Sequence, residues 1–457
     1  MWWLTWFSSI PILLVAPRLS GCMAFIVAVG THLIGDLNTW QYLSFIPPPV
    51  HVLLILVPAC AFAVGIVLYR ACLLRGAILP AWASLPAVWV AFEYVLAETS
   101  PNGTFGSLAY TQMNCLPIIQ LASLAGCWII AFCPLLFSTA LAILIGNRGS
   151  VGSRKAIVLS TATMLACAFG FGFWRLHTPI SGSSIRIGLL ASDLPENLVV
   201  HGDEESLALF KRYSGKVKSL AGQGAKVIVM PEHLGDLDDK SPGGNTPRVD
   251  VMFSTVARQN KVYLVVGVDH AISNTVLLNQ ARIYSPDGKV AATYDKHHLI
   301  PGFESPRFAV GTSRTVLKQT DGTWGIAICK DMDFPALSRE YSKDGIGLLL
   351  VPAYDFVVDG WLHGRMAILR GVEGGFSIAR APKAGLMTLT DDRGRIVAER
   401  ASDSASFAIL TAEIPYRHEA TPYGYLGDWF AWFDFGLLLL ILCTGLRTSS
   451  REKVDSV

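Results

Sequence analysis

Unbroken apolar runs dominate the first 176 residues. Runs at 50–69, 77–97, 118–146 and 156–174, and one at 429–446 near the other end, are each near or above the roughly 18–20 residues that cross a hydrocarbon core, and are expected to be membrane spans. Two shorter runs, 2–16 and 21–35, are separated by Pro17 and Arg18 and are expected as short spans or a re-entrant pair. No Lys or Arg precedes the first run, so it does not read as a cleavable signal peptide. From about residue 178 the period changes. Short β-branched stretches bounded by Gly, Pro or Asp recur as SIRIGLL, AKVIVMPEH, KVYLVVGVD, LLNQARIYSPDGKV, WGIAICKD, IGLLLVPAYD and FSIARAPKAGLMTLTDDRGRIV, and predict buried strands. PDG at 286–288 predicts a hairpin between 281–285 and 289–294, and DDRG at 391–394 a turn. Residues 204–222 and 362–374 read as covering helices, so the expected fold here is a layered α/β domain with helices outside packed sheets.

The charge distribution sharpens this division. Only 16% of the 457 residues are charged, against roughly 25% in soluble proteins. Residues 1–176 hold just ten of the 72 charged side chains. The expected organisation is therefore 1–177 as about six transmembrane helices, 178–428 as a water-facing domain, 429–447 as a last span and 448–457 as a tail. If all seven runs cross, Arg18, Arg70, Arg75, Arg148, Arg154, Lys155, Arg447, Arg451 and Lys453 fall on one side, which the positive-inside rule makes cytoplasmic. The 178–428 domain then lies opposite, in the periplasm of a Gram-negative cell. Trp2, Trp3, Trp6, Trp40, Tyr42, Trp174, Trp429 and Trp432 near the run ends are expected as interfacial anchors. Glu98 fits an interface; Glu93, inside an apolar run, is expected either there or facing a lipid-filled cavity. A net charge of +2 without a basic stripe gives no nucleic-acid reading. Eight of the nine cysteines lie within or beside apolar runs, which leaves Cys329 alone in the domain and rules out a disulfide within it. No Cys or His spacing resembles a zinc site.

Three stretches place reactive groups beyond strands: Glu232 in AKVIVMPEH, Lys296 and Glu304 in YDKHHLIPGFE, and Cys329 in GIAICKDMDFP. A carboxylate, an ammonium and a thiol are what acyl transfer through a thioester requires. The carboxylate takes the thiol proton, sulfur attacks the acyl carbon, and the cation with a backbone N–H steadies the oxyanion.

In this order and spacing, PEH, YDKHHLIPGFE and ICKDMDFP resemble the Glu-Lys-Cys set of the nitrilase (carbon–nitrogen hydrolase) superfamily over about 180–415. That resemblance implies an αββα sandwich. FGSLAYTQ, WLHGRMAILRGVE, DDRGRIVAE and TPYGYLGDW, with the flanking spans, extend it to the apolipoprotein N-acyltransferase family over nearly the whole chain. It implies a ping-pong acyltransferase of the bacterial inner membrane. A fatty acyl chain passes from a phospholipid to the cysteine, then to the N-terminal amine of a diacylglyceryl-cysteine lipoprotein, with no metal or dissociable cofactor. Carried over by position, Glu232 is the general base, Lys296 the oxyanion cation and Cys329 the nucleophile. Glu304 is the second loop carboxylate, and the backbone N–H of Lys330 the second oxyanion donor.

The chain departs from the acyltransferase pattern at three places. Lys330 and Asp331 follow the nucleophile where Tyr-Glu is usual, 301–304 read Pro-Gly-Phe-Glu, and 352–356 read Pro-Ala-Tyr-Asp-Phe. The departures lean toward the soluble amidases, so the alternative is a membrane-anchored amidase; a silent scaffold would not need Glu232, Lys296 and Cys329 together. Phe303, Phe356, Val357, Val358 and Trp361 form either a lid with lipid contact or ordinary loop packing. His233, His297 and His298 are assigned structural or solvent-facing roles, because the mechanism needs no imidazole.

Overall fold

The computed structural model describes residues 1–39, 46–179, 182–320 and 322–446. Trp40, Tyr42, Arg447, Arg451, Lys453 and the expected tail lie outside them. The described residues fall into two compact units, a helical one (1–99, 106–177 and 428–446) and an α/β one (100–105 and 178–427).

Four helices of the helical unit are long and apolar enough to cross a membrane: Pro48–Leu74, Ile78–Thr99, Ala122–Ile145 and Val151–His177. The second and third bury two thirds of their most apolar stretch; the first and fourth expose most of theirs, as lipid-facing helices should. Gly21–Gly35 and Trp429–Gly445 are shorter apolar helices. Two expected runs are interrupted. Residues 2–16 form a 3-10 helix, Trp2–Trp6, and a separate six-residue helix, Ile10–Val15, with Pro11 in its first turn, where its missing N–H costs nothing. The 118–146 run starts as Leu116–Ile119 and resumes at Ala122, with Ala125 and Gly126 outside helical geometry and Gly126 at φ 70°.

Inside this unit the partners of Glu93 are polar groups of the protein. The residue is buried, and accepts hydrogen bonds from Trp89 Nε1 (2.8 Å), Ser107 Oγ (2.7 Å) and the Leu108 N–H (2.7 Å). It thereby anchors the start of the 3-10 turn Leu108–Gln112 to its own helix.

The α/β unit packs two sheets face to face. Strands β1 (Ser184–Ala191), β2 (Val227–Val229), β3 (Asp236–Asp238), β4 (Tyr263–Ala271), β5 (Leu277–Tyr284) and β6 (Val290–Asp295) belong to the first sheet. The second holds β7 (Thr315–Gln319), β8 (Gly322–Ile326), β9 (Leu348–Tyr354), β10 (Ser377–Lys383), β11 (Leu386–Thr390) and β12 (Ile396–Ala401). β13 (Ala408–Pro415) returns to the first sheet, giving the orders β13-β1-β2-β4-β5-β6, with β3 beside β4, and β12-β11-β10-β9-β8-β7. β1, β2 and β4 run parallel, as do β8, β9 and β10.

Alternate side chains of these strands, among them Ile187, Val229, Val265, Ile326, Leu350 and Ala379, meet in one core between the sheets. Helices Asp203–Gly222 and Thr246–Asn260 cover the first sheet through Phe210, Val217, Val249 and Phe253. Pro335–Lys343 and Gly360–Gly374 cover the second through Tyr341 and Ala367. This is the expected αββα sandwich. Each fully buried Leu, Ile, Val or Phe contributes about 1.5–3 kcal/mol, so the central layer holds the two sheets in fixed alignment.

Candidate active site

Parallel strands align their carboxyl ends, and here that edge carries the reactive groups. Glu232 follows β2, Lys296 follows β6, Cys329 follows β8 and Tyr354 ends β9. Gly267 on β4 sets the height of the Glu232 loop. Its N–H donates to the Pro231 carbonyl (3.1 Å) and its carbonyl accepts from the Leu234 N–H (2.9 Å). A Cβ there would stand 2.4 Å from the Pro231 oxygen and 2.6 Å from the Glu232 Cα, so only glycine admits the loop at this distance.

The structure brings Glu232, Lys296 and Glu304 together. The Lys296 Nζ, fully buried, donates to Glu232 Oε1 (2.7 Å) and to both oxygens of Glu304 (2.9 Å each). Glu304 is held by its own loop as well, accepting from the Ile300 N–H at 2.7 Å. Burial by itself disfavours the ammonium, but the Glu232 and Glu304 carboxylates outweigh it and hold Lys296 protonated beyond the usual lysine range. Burial likewise works against the Glu304 carboxylate. Lys296 and then His233 reverse that and keep it well below the ordinary carboxylate range.

Cys329 sits in the left-handed region at φ 43°, a conformation that costs a non-glycine residue about 1–3 kcal/mol and tends to collect at functional sites. Its thiol is buried, 7% exposed as a residue, and donates to the Tyr354 carbonyl at 3.4 Å. Burial pushes this thiol well above its ordinary range and Glu232 pushes the same way, while Lys296 offsets them only in part. The resting group is therefore a protonated thiol, which needs a base before it can attack. Close to it, the buried Arg380 grips Asp355 with two hydrogen bonds, one of them Nη1 to Oδ2 at 2.8 Å. Their opposite charges act on the sulfur in opposite senses.

The turn after the nucleophile is organised by Asp331. Oδ2 accepts from the Ile328 N–H (3.0 Å) and the Tyr294 hydroxyl (2.7 Å), and Oδ1 from the His298 N–H (2.9 Å). The His298 ring stacks on Phe334 at 3.7 Å and His297 bonds the Tyr294 hydroxyl at 2.6 Å, so both histidines pack the loops. The Lys330 side chain is bound by Asn102 Oδ1 (3.3 Å) and Asp333 Oδ2 (3.2 Å). Phe303 and Phe356 meet with ring centroids 6.2 Å apart and are both exposed, as are Val357, Val358 and Trp361; Arg365 lies over the Trp361 ring.

Two partners of these residues were missed from sequence. Asn279 on β5 donates its amide to Glu232 Oε1 (2.6 Å) and Glu304 Oε1 (2.7 Å), tying the two carboxylates together. A buried Asn in an otherwise apolar strand is a costly residue, and that was the available signal. Asp269, on β4, binds His233 Nδ1, and His233 Nε2 lies 3.1 Å from Glu304 Oε1. His233, expected in a structural or solvent-facing role, is thus part-buried and hydrogen-bonded between these two carboxylates. Glu232, His233 and Glu304 place ligand-type atoms within 4.8 Å of one another, but the Lys296 ammonium already bonds both carboxylates and supplies the cation they face.

A family model described as carbon–nitrogen hydrolase matches residues 205–422, and one described as the apolipoprotein N-acyltransferase N-terminal domain matches 1–140. An apolipoprotein N-acyltransferase from Geobacter metallireducens is 28% identical over 385 residues, covering 76% of this chain and 71% of that one. An omega-amidase from Danio rerio is 31% identical over 164 residues, 32% of this chain and 58% of the relative. Among solved structures, an amidase of the nitrilase superfamily from Nesterenkonia AN1 aligns with 56% of this chain and 98% of its own, at 19% identity and a TM-score of 0.46.

Proposed function

Because the chain belongs to the apolipoprotein N-acyltransferase family of the carbon–nitrogen hydrolase superfamily, we propose that Glu232, Lys296 and Cys329 carry out a two-step acyl transfer. The donor is a membrane phospholipid and the acceptor the N-terminal amine of a diacylglyceryl-cysteine lipoprotein. The observation that carries this reading is the buried Lys296 ammonium, 2.7 Å from Glu232 Oε1, with both charges acting on the buried Cys329 thiol.

In the first step Glu232 takes the thiol proton as sulfur attacks the ester carbonyl. The Lys296 ammonium and the Lys330 backbone N–H steady the oxyanion. The tetrahedral adduct collapses to a thioester, and Glu232 returns its proton to the departing lysophospholipid alkoxide. In the second step the acceptor amine attacks the thioester, its proton goes to Glu232, and the leaving thiolate is reprotonated. Glu304 holds Lys296 in place, and no metal or cofactor is required. The exposed Phe303, Phe356 and Trp361 are suited to contact acyl chains beside the site.

Location is part of the same proposal. Arg70, Arg75, Arg148, Arg154 and Lys155 lie on one side if the four long helices cross; the positive-inside rule supports taking that side as cytoplasmic in the bacterial inner membrane and the 178–427 segment as periplasmic.

Intact-protein mass spectrometry after incubation with phosphatidylethanolamine, followed by a diacylated lipopeptide chase, tests this reading. A fatty-acyl adduct that requires Cys329 and moves to the peptide amine is expected. An adduct lost to water equally fast with or without peptide points to the amidase-like alternative, and no adduct in the wild type overturns the acyltransferase.

A further inference from the structure

His233 follows Glu232 directly and is one of five described non-glycine residues with positive φ, at 52°. Its ring is pinned at both ends by carboxylates, Nδ1 against Asp269 Oδ1 and Nε2 3.1 Å from Glu304 Oε1. A carboxylate accepts hydrogen bonds and gives none, so both contacts form together only when both ring nitrogens carry protons. Asn279 does not alter this count. Its amide nitrogen also lies 3.2 Å from His233 Nε2, but its two hydrogens go to the closer oxygens of Glu232 (2.6 Å) and Glu304 (2.7 Å), and turning the side chain over would set its oxygen against both.

The charges around the cluster show what such a cation does. Three carboxylates, Glu232, Glu304 and Asp269, converge here, and the Lys296 ammonium bonds two of them. Lys296 can steady an oxyanion only if it is not fully engaged by its own partners. We propose that His233 is a positioning residue of the catalytic cluster, an imidazolium held between Asp269 and Glu304 that compensates Glu304 and so frees part of the Lys296 ammonium for the oxyanion. This rests on the acyl-transfer reading above.

Every element packed against the ring bears on its charge. Asp269 comes from β4, Glu304 from the loop after β6, and Glu232, 3.6 Å from Nε2, from its own loop. Tyr354 at the end of β9 presents its ring edge at 6.5 Å between centroids. Lys383 at the end of β10 donates to the His233 carbonyl (2.8 Å) and the Leu198 carbonyl (3.0 Å), fixing the backbone that carries the ring. Burial would lower His233, but Asp269 and Glu232 outweigh it and lift it to about 10. Lys383 moves the other way, to about 8, because burial dominates and Asp269, Asp193 and Glu232 only partly oppose it.

Two measurements on the full-length protein in detergent test the proposal. In the wild type, the pH profile of hydrogen–deuterium exchange at C2 of the His233 imidazole, read by peptide mass spectrometry, should show an imidazolium through pH 8. A midpoint near that of a free histidine overturns the proposal without any variant having to fold. In H233Q, thioester formation from phosphatidylethanolamine should slow roughly 10- to 100-fold at pH 7, with KM for the donor nearly unchanged. The pH profile of that rate should differ from the wild type's, because a cation has been removed from the cluster. H233K, which restores the charge, should recover much of the rate. An H233Q enzyme with wild-type rate and profile also overturns the proposal. If the wild type forms no thioester while His233 remains an imidazolium, it is the acyltransferase reading that fails.

Discussion

Two buried glutamates of this chain keep different company. Glu93, in the helical unit, is met only by neutral donors from an indole, a hydroxyl and a backbone amide. Glu232, in the α/β unit, is met by an ammonium and an amide and stands next to a histidine that is itself pinned by carboxylates. Both are nearly inaccessible, at 7% and 1%. Burial therefore does not distinguish a structural carboxylate from a chemical one. What distinguishes them is whether the neighbours carry charges that respond when a proton moves.

The widest contrast is expected from removing those charges. Glu232→Gln should lower thioester formation by roughly 10²- to 10⁴-fold, the range for loss of a general base. Lys296→Met should lower it by roughly 10²- to 10³-fold through the lost oxyanion cation. Both are read by single-turnover mass spectrometry, and an enzyme within tenfold of wild type in either case would remove that residue from the mechanism. Gly267→Ala leaves every charge in place but drives a methyl group into the Pro231 carbonyl, so a loss of about 100-fold from misplacing Glu232 is expected with the fold retained by circular dichroism. Normal activity there would show that the loop yields easily.

A smaller effect concerns the thiol. Since Cys329 is raised, its thiolate fraction at neutral pH is below that of a free cysteine, and alkylation by iodoacetamide should rise about tenfold per pH unit from pH 7 to beyond 9. A plateau below pH 8, seen on the Cys329 peptide, would contradict the assignment. The least effect on catalysis is expected for Glu93→Gln, which keeps the shape and most of the hydrogen bonds. Thermal stability should fall by about 1–3 kcal/mol while kcat/KM stays within a few-fold. A larger loss of activity than of stability would place Glu93 on the functional side of the comparison.

Much of this architecture can be read from local pattern. The β-branched runs, the hairpin at PDG and the partition of charge locate the sandwich and its helical companion, since each signal lies within a few residues. β3, β7 and β13 were not anticipated, nor was the Thr246–Asn260 helix, although Val249, Phe253 and Ala257 repeat every four residues along its buried face. The run at 118–146 conceals a break because Ala125 and Gly126 are as apolar as their neighbours, and hydropathy does not register backbone conformation. At the candidate site, motif order singled out Glu232, Lys296 and Glu304, which the fold brings together, and Cys329. The partners of those residues were not legible. Asn279 and Asp269 lie 47 and 36 residues from the groups they bind, on strands whose inward or outward register only the folded sheet determines.

The proposed base and the proposed nucleophile belong to different sheets. Glu232 rides on the first and Cys329 on the second, and no short run of backbone joins them; Ile187, Val229, Ile326 and Leu350 are the spacers that meter the gap. The hydrophobic layer is thus a measuring device as well as a source of stability. Shaving a methylene from Ile326 would change the stroke of the proton transfer before it changed the shape of the molecule, and warming should silence the chemistry at a temperature where the sandwich still stands.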